Sequence, residues 1–155
     1  MGSTILVVCT GNTCRSPVVE ALLKSYLTEA GYTDWEVFSA GIKASGGEPA
    51  SKFGAEILLD QFAIDLSSHR SKKLSHESVN SADLILCMAD RHRQFIVAEQ
   101  PEHQPKVVLL SEMADFSHDL PDPYGQDKLA YQAMLKAVCD YLNIGLQNII
   151  ERAQT

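Results

Sequence analysis

Residues Ile5-Leu6-Val7-Val8 form an unbroken apolar and largely β-branched run. A strand with one wet face alternates apolar and polar side chains. A run with no polar position reads instead as a strand buried on both faces, as in a parallel sheet covered by helices. A parallel neighbour needs a crossover, so a helix should follow closely. After a turn-like stretch over residues 9–15, Ser16-Pro17 offers an N-cap residue and a proline suited to the first helical position. Glu20 is expected in the first turn, at the positive end of the helix dipole. Val18, Ala21, Leu22 and Tyr26, with Leu23 and Leu27 beside them, give an apolar stripe up to a stop at Gly31.

The strand-then-helix pattern repeats. Residues 36–40 read as a strand ending at Gly41, 42–49 as a loop and 50–62 as a helix. Residues 83–88, around Leu84-Ile85-Leu86, and 106–110, around Val107-Val108-Leu109, read as further buried strands, with a short helix over 91–98 between them. Residues 117–126 read as a loop and residues 127 to about 152 as a long closing helix. Such alternation predicts an α/β fold with a doubly wound sheet. Ligands bind such sheets beyond the carboxyl ends of the strands, and the loop over 9–15 leaves at that edge. The 155 residues are of single-domain length, and one domain over 1–155 is expected.

The loop reads Cys9-Thr10-Gly11-Asn12-Thr13-Cys14-Arg15-Ser16. Amides between a strand end and a helix N-terminus can point inward around an anion, and the dipole adds positive potential. Gly11 is expected to curl the backbone at positive φ, and Asn12 tolerates left-handed geometry. Arg15 offers a fork that fits two phosphoryl oxygens. The same field favours a sulfur anion at Cys9, which Ser16 could support with a hydrogen bond. The loop thus combines a nucleophile with a phosphate cradle, formed by residues 10–16. No Gly-Lys-Ser/Thr is present, so this is not a nucleotide-binding phosphate loop.

A thiolate that displaces a phosphoryl leaving group needs an acid to protonate that group. Asp115, Asp119 and Asp122 are candidates by position. Asp122 is favoured because Pro121 and Pro123 stiffen both sides of it.

The formal net charge of −7 argues against general nucleic-acid or anionic-membrane binding. No apolar run approaches the ~18 residues of a membrane span, and the N-terminus lacks the basic region of a secretory signal. Four cysteines are too few and too scattered for a disulfide scaffold or a zinc ribbon. Cys87 and Cys139 lie in apolar runs and are expected to be buried thiols. These features lead to the expectation of a cytoplasmic protein with no metal and no cofactor.

The segment Cys9 to Pro17 resembles the signature of the low-molecular-weight protein tyrosine phosphatase family, and the likeness extends to Ser39-Ala40-Gly41 and Asp122-Pro123-Tyr124. The resemblance implies a flavodoxin-like sandwich with a central four-stranded parallel sheet flanked by helices. It implies Cys9 as nucleophile, Arg15 as phosphate-binding arginine, Asn12 as loop prop, Ser16 as thiolate support, Asp122 as general acid and Tyr124 as an aromatic wall of the substrate pocket. It also implies that Cys14 can form a protective disulfide with Cys9 and that His69 is a buried structural histidine. The partners implied are phosphorylated proteins, with phosphate or other oxyanions in the site. Ala89 departs from members with an acidic residue after Cys-Met, so that support is absent or comes from Asp90.

Thr13 and Gly125 bear on the substrate. Tyrosine-directed members usually carry an apolar residue at the first place and often an aromatic at the second. Members resembling bacterial protein arginine phosphatases carry Thr and Gly. Both positions lean toward phosphoarginine, since a hydroxyl suits a polar phosphoramidate and a missing aromatic wall weakens stacking on a phenol. Two other readings share the fold. An arsenate reductase would need a further mobile cysteine to resolve its intermediate. A non-catalytic phosphoresidue-binding module would be expected to lack Cys9, Arg15 or Asp122.

Overall fold

The computed structural model describes residues 2–155. Four strands, β1 (Thr4–Cys9), β2 (Glu36–Gly41), β3 (Leu84–Cys87) and β4 (Val107–Leu109), pair in parallel in the order β2-β1-β3-β4. The helices are α1 (Arg15–Glu29), α2 (Lys52–Phe62), α3 (His76–Ser81), α4 (Asp90–Glu99) and α5 (Lys128–Gln154). Two 3-10 turns, Pro101–Lys106 and Leu110–Ala114, bracket β4. This is the doubly wound, flavodoxin-like arrangement expected from the sequence.

Side-chain alternation explains the uniformly apolar strands. Ile5 and Val7 of β1, with Leu84 and Leu86 of β3, face a core closed by Val18, Leu22 and Leu23 of α1 and by Met134, Val138 and Leu142 of α5. Leu6 and Val8, with Ile85 and Cys87, face the opposite core against Val79 of α3 and Ile96 of α4. Both faces of β1 and β3 are covered here, which is why Ile5 to Val8 and Leu84 to Leu86 hold no polar residue.

Helix α3 was not anticipated. It has six residues and one buried apolar side chain, Val79, too short for a periodic signal. Its start is set by Ser75, whose hydroxyl accepts the Ser78 N–H while the Ser78 hydroxyl answers from the other side. Cys87 is fully buried, but Cys139, on α5, is only half-buried. Among the described residues, no helix is long and apolar enough to cross a membrane.

Candidate active site

Cys9 and Gly41 are register partners at the carboxyl ends of β1 and β2. The loop over residues 10–14 arches from one strand end to α1 across the glycine. A Cβ on Gly41 would stand 2.5 Å from the Thr10 carbonyl oxygen and 2.9 Å from the Asn12 nitrogen, so only glycine lets the loop pass.

Three sequence expectations need correction. Asn12, with φ 58°, takes the left-handed turn, and Gly11 does not. Helix α1 begins at Arg15, and its cap position, Cys14, makes no side-chain cap bond. Ser16 is therefore not the cap. Its hydroxyl turns inward and lies 2.9 Å from Cys9 Sγ. Glu20 is not in the first turn either; its carboxylate accepts the Ser39 hydroxyl.

These residues form one chain of hydrogen bonds beneath the sulfur. The Asn12 side-chain amide donates to Ser16 Oγ at 2.8 Å and to Ser39 Oγ at 2.9 Å, while its Oδ1 accepts the Lys72 N–H. Its carbonyl meets His69 Nε2 at 2.8 Å. Cys9 Sγ also accepts the Asn12 N–H at 3.3 Å. Against a sulfur anion Ser16 must donate, because a thiolate has no proton to give, and its oxygen keeps a lone pair for the Asn12 amide. Asn12 and Ser16 are fully buried, so their bonds are shielded from bulk water. His69 is half-buried rather than buried, though it does prop the loop.

Arg15 is almost wholly buried yet reaches the pocket mouth. Its Nη1 donates to the Leu120 carbonyl at 2.9 Å, and its Nη2 lies 3.5 Å from Asp122 Oδ2. Leu120 in turn donates its N–H to the Met88 carbonyl just beyond β3. The loop that carries Asp122 is thereby docked against the sheet edge.

The three candidate acids separate cleanly. Asp122 lines a cavity of about 230 Å³ together with Cys9, Thr10, Gly11, Thr13, Cys14, Arg15, Glu48 and Tyr124. Asp119 Oδ1 is occupied by the Asp90 N–H. Asp115 sits in left-handed geometry beside a different groove, next to Asn148 and Arg152. Tyr124 is three-quarters exposed and forms the outer wall. Gly125 has φ 75° in the turn closed by Gln126 N–H on the Pro123 carbonyl, so its glycine answers a backbone need as well as any substrate preference.

Asp90 does not support the loop. Its carboxylate is taken by Arg93 and Gln94. Support arrives from residues to which the sequence reading gave no such role: His92 and Arg91, both bonded to Thr10 Oγ1, and Ser39 with Glu20. Each pairing joins residues far apart in sequence. Only the adjacency of β1 to β2 and β3 would have found them. Cys14 Sγ lies 3.3 Å from Tyr131 Oη, and all four cysteines are free thiols. Burial pushes the Cys87 thiol up, and it does so for Cys139 as well. Neither is a mobile, reactive partner for Cys9.

A thiol set in an anion-binding turn, at the first strand's carboxyl end in a doubly wound sheet, defines a class of thiol-dependent phosphoryl-binding proteins. Residues 4–154 match the low molecular weight phosphotyrosine protein phosphatase family, and the chain belongs to it. It is 41% identical over 138 residues to a probable low molecular weight protein-tyrosine-phosphatase, EpsP, of Ralstonia solanacearum, spanning 89% of this chain and 90% of the relative. It is 40% identical over 122 residues to a protein-arginine-phosphatase of Bacillus subtilis, spanning 78% and 79%. Among solved structures it superposes with TM-score 0.87 and 34% identity on a serine-for-cysteine mutant of the YwlE arginine phosphatase whose active-site serine is phosphorylated, covering 96% of this chain and 95% of that one. These likenesses do not support the arsenate-reductase and binding-module readings.

Proposed function

We propose that the protein is a phosphoprotein phosphatase that works through a cysteinyl-phosphate intermediate and prefers phosphoarginine. The observation that carries this reading is the convergence of Cys9, Arg15 and Asp122 on one cavity, with Ser16 Oγ 2.9 Å from the sulfur. The amides of residues 10–16 and the Arg15 fork bind the phosphoryl oxygens and leave phosphorus in line with Cys9 Sγ. The sulfur attacks phosphorus, the bond to the leaving atom breaks, and that atom takes its proton from Asp122. Asp122, now a carboxylate, removes a proton from water as the water attacks the cysteinyl phosphate. Phosphate leaves, and the thiolate is regenerated against Ser16 and the Asn12 N–H.

The preference for phosphoarginine rests on three supports. Thr13, which carries a hydroxyl, lines the cavity. The cavity carries carboxylates at Glu48 and Asp122, which suit a cationic guanidino group better than a neutral phenol. Beyond Tyr124 the next residue is Gly125 rather than a second aromatic.

The test is a side-by-side measurement of kcat/KM on phosphoarginine and phosphotyrosine peptides, with Cys9→Ser as control. The wild type should favour phosphoarginine, and Cys9→Ser should lose turnover while still binding phosphate. A Cys9→Ser protein with more than a few per cent of activity would rule out covalent catalysis. Preference for phosphotyrosine would leave a tyrosine phosphatase.

A further inference from the structure

The Thr10 hydroxyl is approached by more donors than it has lone pairs to spare. His92 is fully buried in the first turn of α4. Its Nδ1 accepts the Ala89 N–H at 3.1 Å. That bond uses the Nδ1 lone pair, so the ring's single proton sits on Nε2. Nε2 lies 2.9 Å from Thr10 Oγ1 and must donate to it. Arg91 Nη2 donates to the same oxygen at 2.9 Å, and Arg15 Nη2 stands 3.4 Å away. Burial and the neighbouring arginines push the His92 pKa down to about 4, against a smaller opposing pull from Asp119 and Asp122. The neutral tautomer is therefore the working form.

A hydroxyl has two lone pairs and one proton. His92 and Arg91 fill both lone pairs of Thr10 Oγ1, so its proton must leave in a third direction. Among the described residues, the other polar atoms bonded to Thr10 Oγ1 are all donors. Thr10 lines the cavity with Cys9 and Arg15. We propose that the Thr10 hydroxyl is a donor to a bound phosphoryl oxygen, additional to the backbone amides, and that His92 is the positioning residue that aims it. The proposal rests on the reading of this cavity as a phosphoryl site. Two donors on one oxygen, one of them a guanidinium, polarise the O–H and strengthen what it gives. A buried His92 bonded to Ala89 also ties the first turn of α4 to the loop, so the donor's aim is set by the sheet edge rather than by a free rotor.

Calorimetric titration with inorganic phosphate tests this without requiring turnover. Thr10→Val should weaken phosphate binding by about ten- to a hundredfold, the span for a hydrogen bond to a charged group, and Thr10→Ser should stay within about threefold of wild type. His92→Phe, which keeps a ring but removes both bonds, should weaken binding several-fold in the wild-type background and add nothing in the Thr10→Val background. Binding by Thr10→Val within about twofold of wild type would overturn the proposal, as would an equal His92→Phe loss in both backgrounds. If His92→Phe does not fold, the Thr10→Val and Thr10→Ser pair decides alone. A wild-type protein that binds no phosphate overturns the phosphoryl reading and this proposal together, a result distinct from equal binding by wild type and Thr10→Val.

Discussion

Asp122 Oδ2 faces Arg15 Nη2 across 3.5 Å, while its Oδ1 accepts the Tyr124 N–H at 3.1 Å. One oxygen thus fixes the turn and the other stays at the cavity. On the proposed reading Arg15 should release that oxygen when its fork takes a phosphoryl group. Asp122→Asn keeps an acceptor for Tyr124 and removes the acid. On leaving groups that need a proton it should lower kcat by about 10²–10⁴, the span of general acid catalysis. Leaving groups that depart unprotonated should show a much smaller loss. Equal losses across both kinds, measured on a series of aryl phosphates, would make Asp122 structural.

Gly41 and the loop are in such close contact that a single methyl group should disturb the chemistry. In Gly41→Ala the new Cβ meets backbone at Thr10 and Asn12, which cannot rotate away. Overpacking of this kind costs roughly 1–3 kcal/mol. The loop must shift to relieve it, so kcat/KM should fall at least about tenfold even where the protein remains folded. Thermal unfolding and turnover measured together check this; full activity in Gly41→Ala would mean that the loop is not held at this point.

His92 makes stability depend on pH in a defined window. Its pKa is 6.5 in an ordinary setting and about 4 here, because of burial first and then Arg15 and Arg91. Between those values the unfolded chain binds a proton that the folded chain does not. Stability is therefore complete above pH 6.5 and declines as the pH falls toward 4, by up to about 3 kcal/mol from this group. Urea unfolding at pH 7 and pH 4.5 should show a larger drop for wild type than for His92→Phe. Equal drops would mean that His92 is charged in the folded protein.

The sheet was legible because each strand is a local signal. Ile5 to Val8, Leu84 to Leu86 and Val107 to Leu109 need both faces buried, and no other common architecture provides that for short parallel runs. The loop was legible because Cys9, Arg15 and Ser16-Pro17 are adjacent in sequence. Ser16 was misread as a cap because a hydroxyl at a helix start suits two jobs, capping the backbone or bonding the sulfur, and only geometry distinguishes them. Gly11 was given the left-handed turn on propensity, whereas the three-way bonding of its side chain holds Asn12 there. His92, Arg91 and Glu48 could not be found by pattern. Glu48 reaches the site from the loop after β2, and Arg91 and His92 reach it from the first turn of α4 after β3; a lone His, Arg or Glu has no spacing to read.

Two wall residues, Thr13 and Glu48, should set the choice between phosphoarginine and phosphotyrosine. Thr13 is half-buried in the cavity wall, and its carbonyl accepts the Ser51 N–H. Thr and Ile share β-branching, so Thr13→Ile should leave that backbone bond intact while exchanging a hydroxyl for apolar surface. A site that hydrogen-bonds a polar group loses the substrate bearing it when the partner goes, while a phenol ring gains packing. Glu48 is held at the rim by the Ser45 hydroxyl on its carboxylate and by a Ser71 hydroxyl on its N–H. Glu48→Gln keeps the shape and removes the charge. An exposed ion pair contributes about 0.2–1 kcal/mol, so this change should lower the phosphoarginine rate by no more than about fivefold and leave phosphotyrosine nearly unchanged. Both substitutions should move the ratio of kcat/KM values toward phosphotyrosine, Thr13→Ile more than Glu48→Gln because its side chain is the less exposed of the two. A ratio unmoved beyond about twofold by either would take the specificity out of the wall and assign it to the peptide flanking the phosphorylated residue.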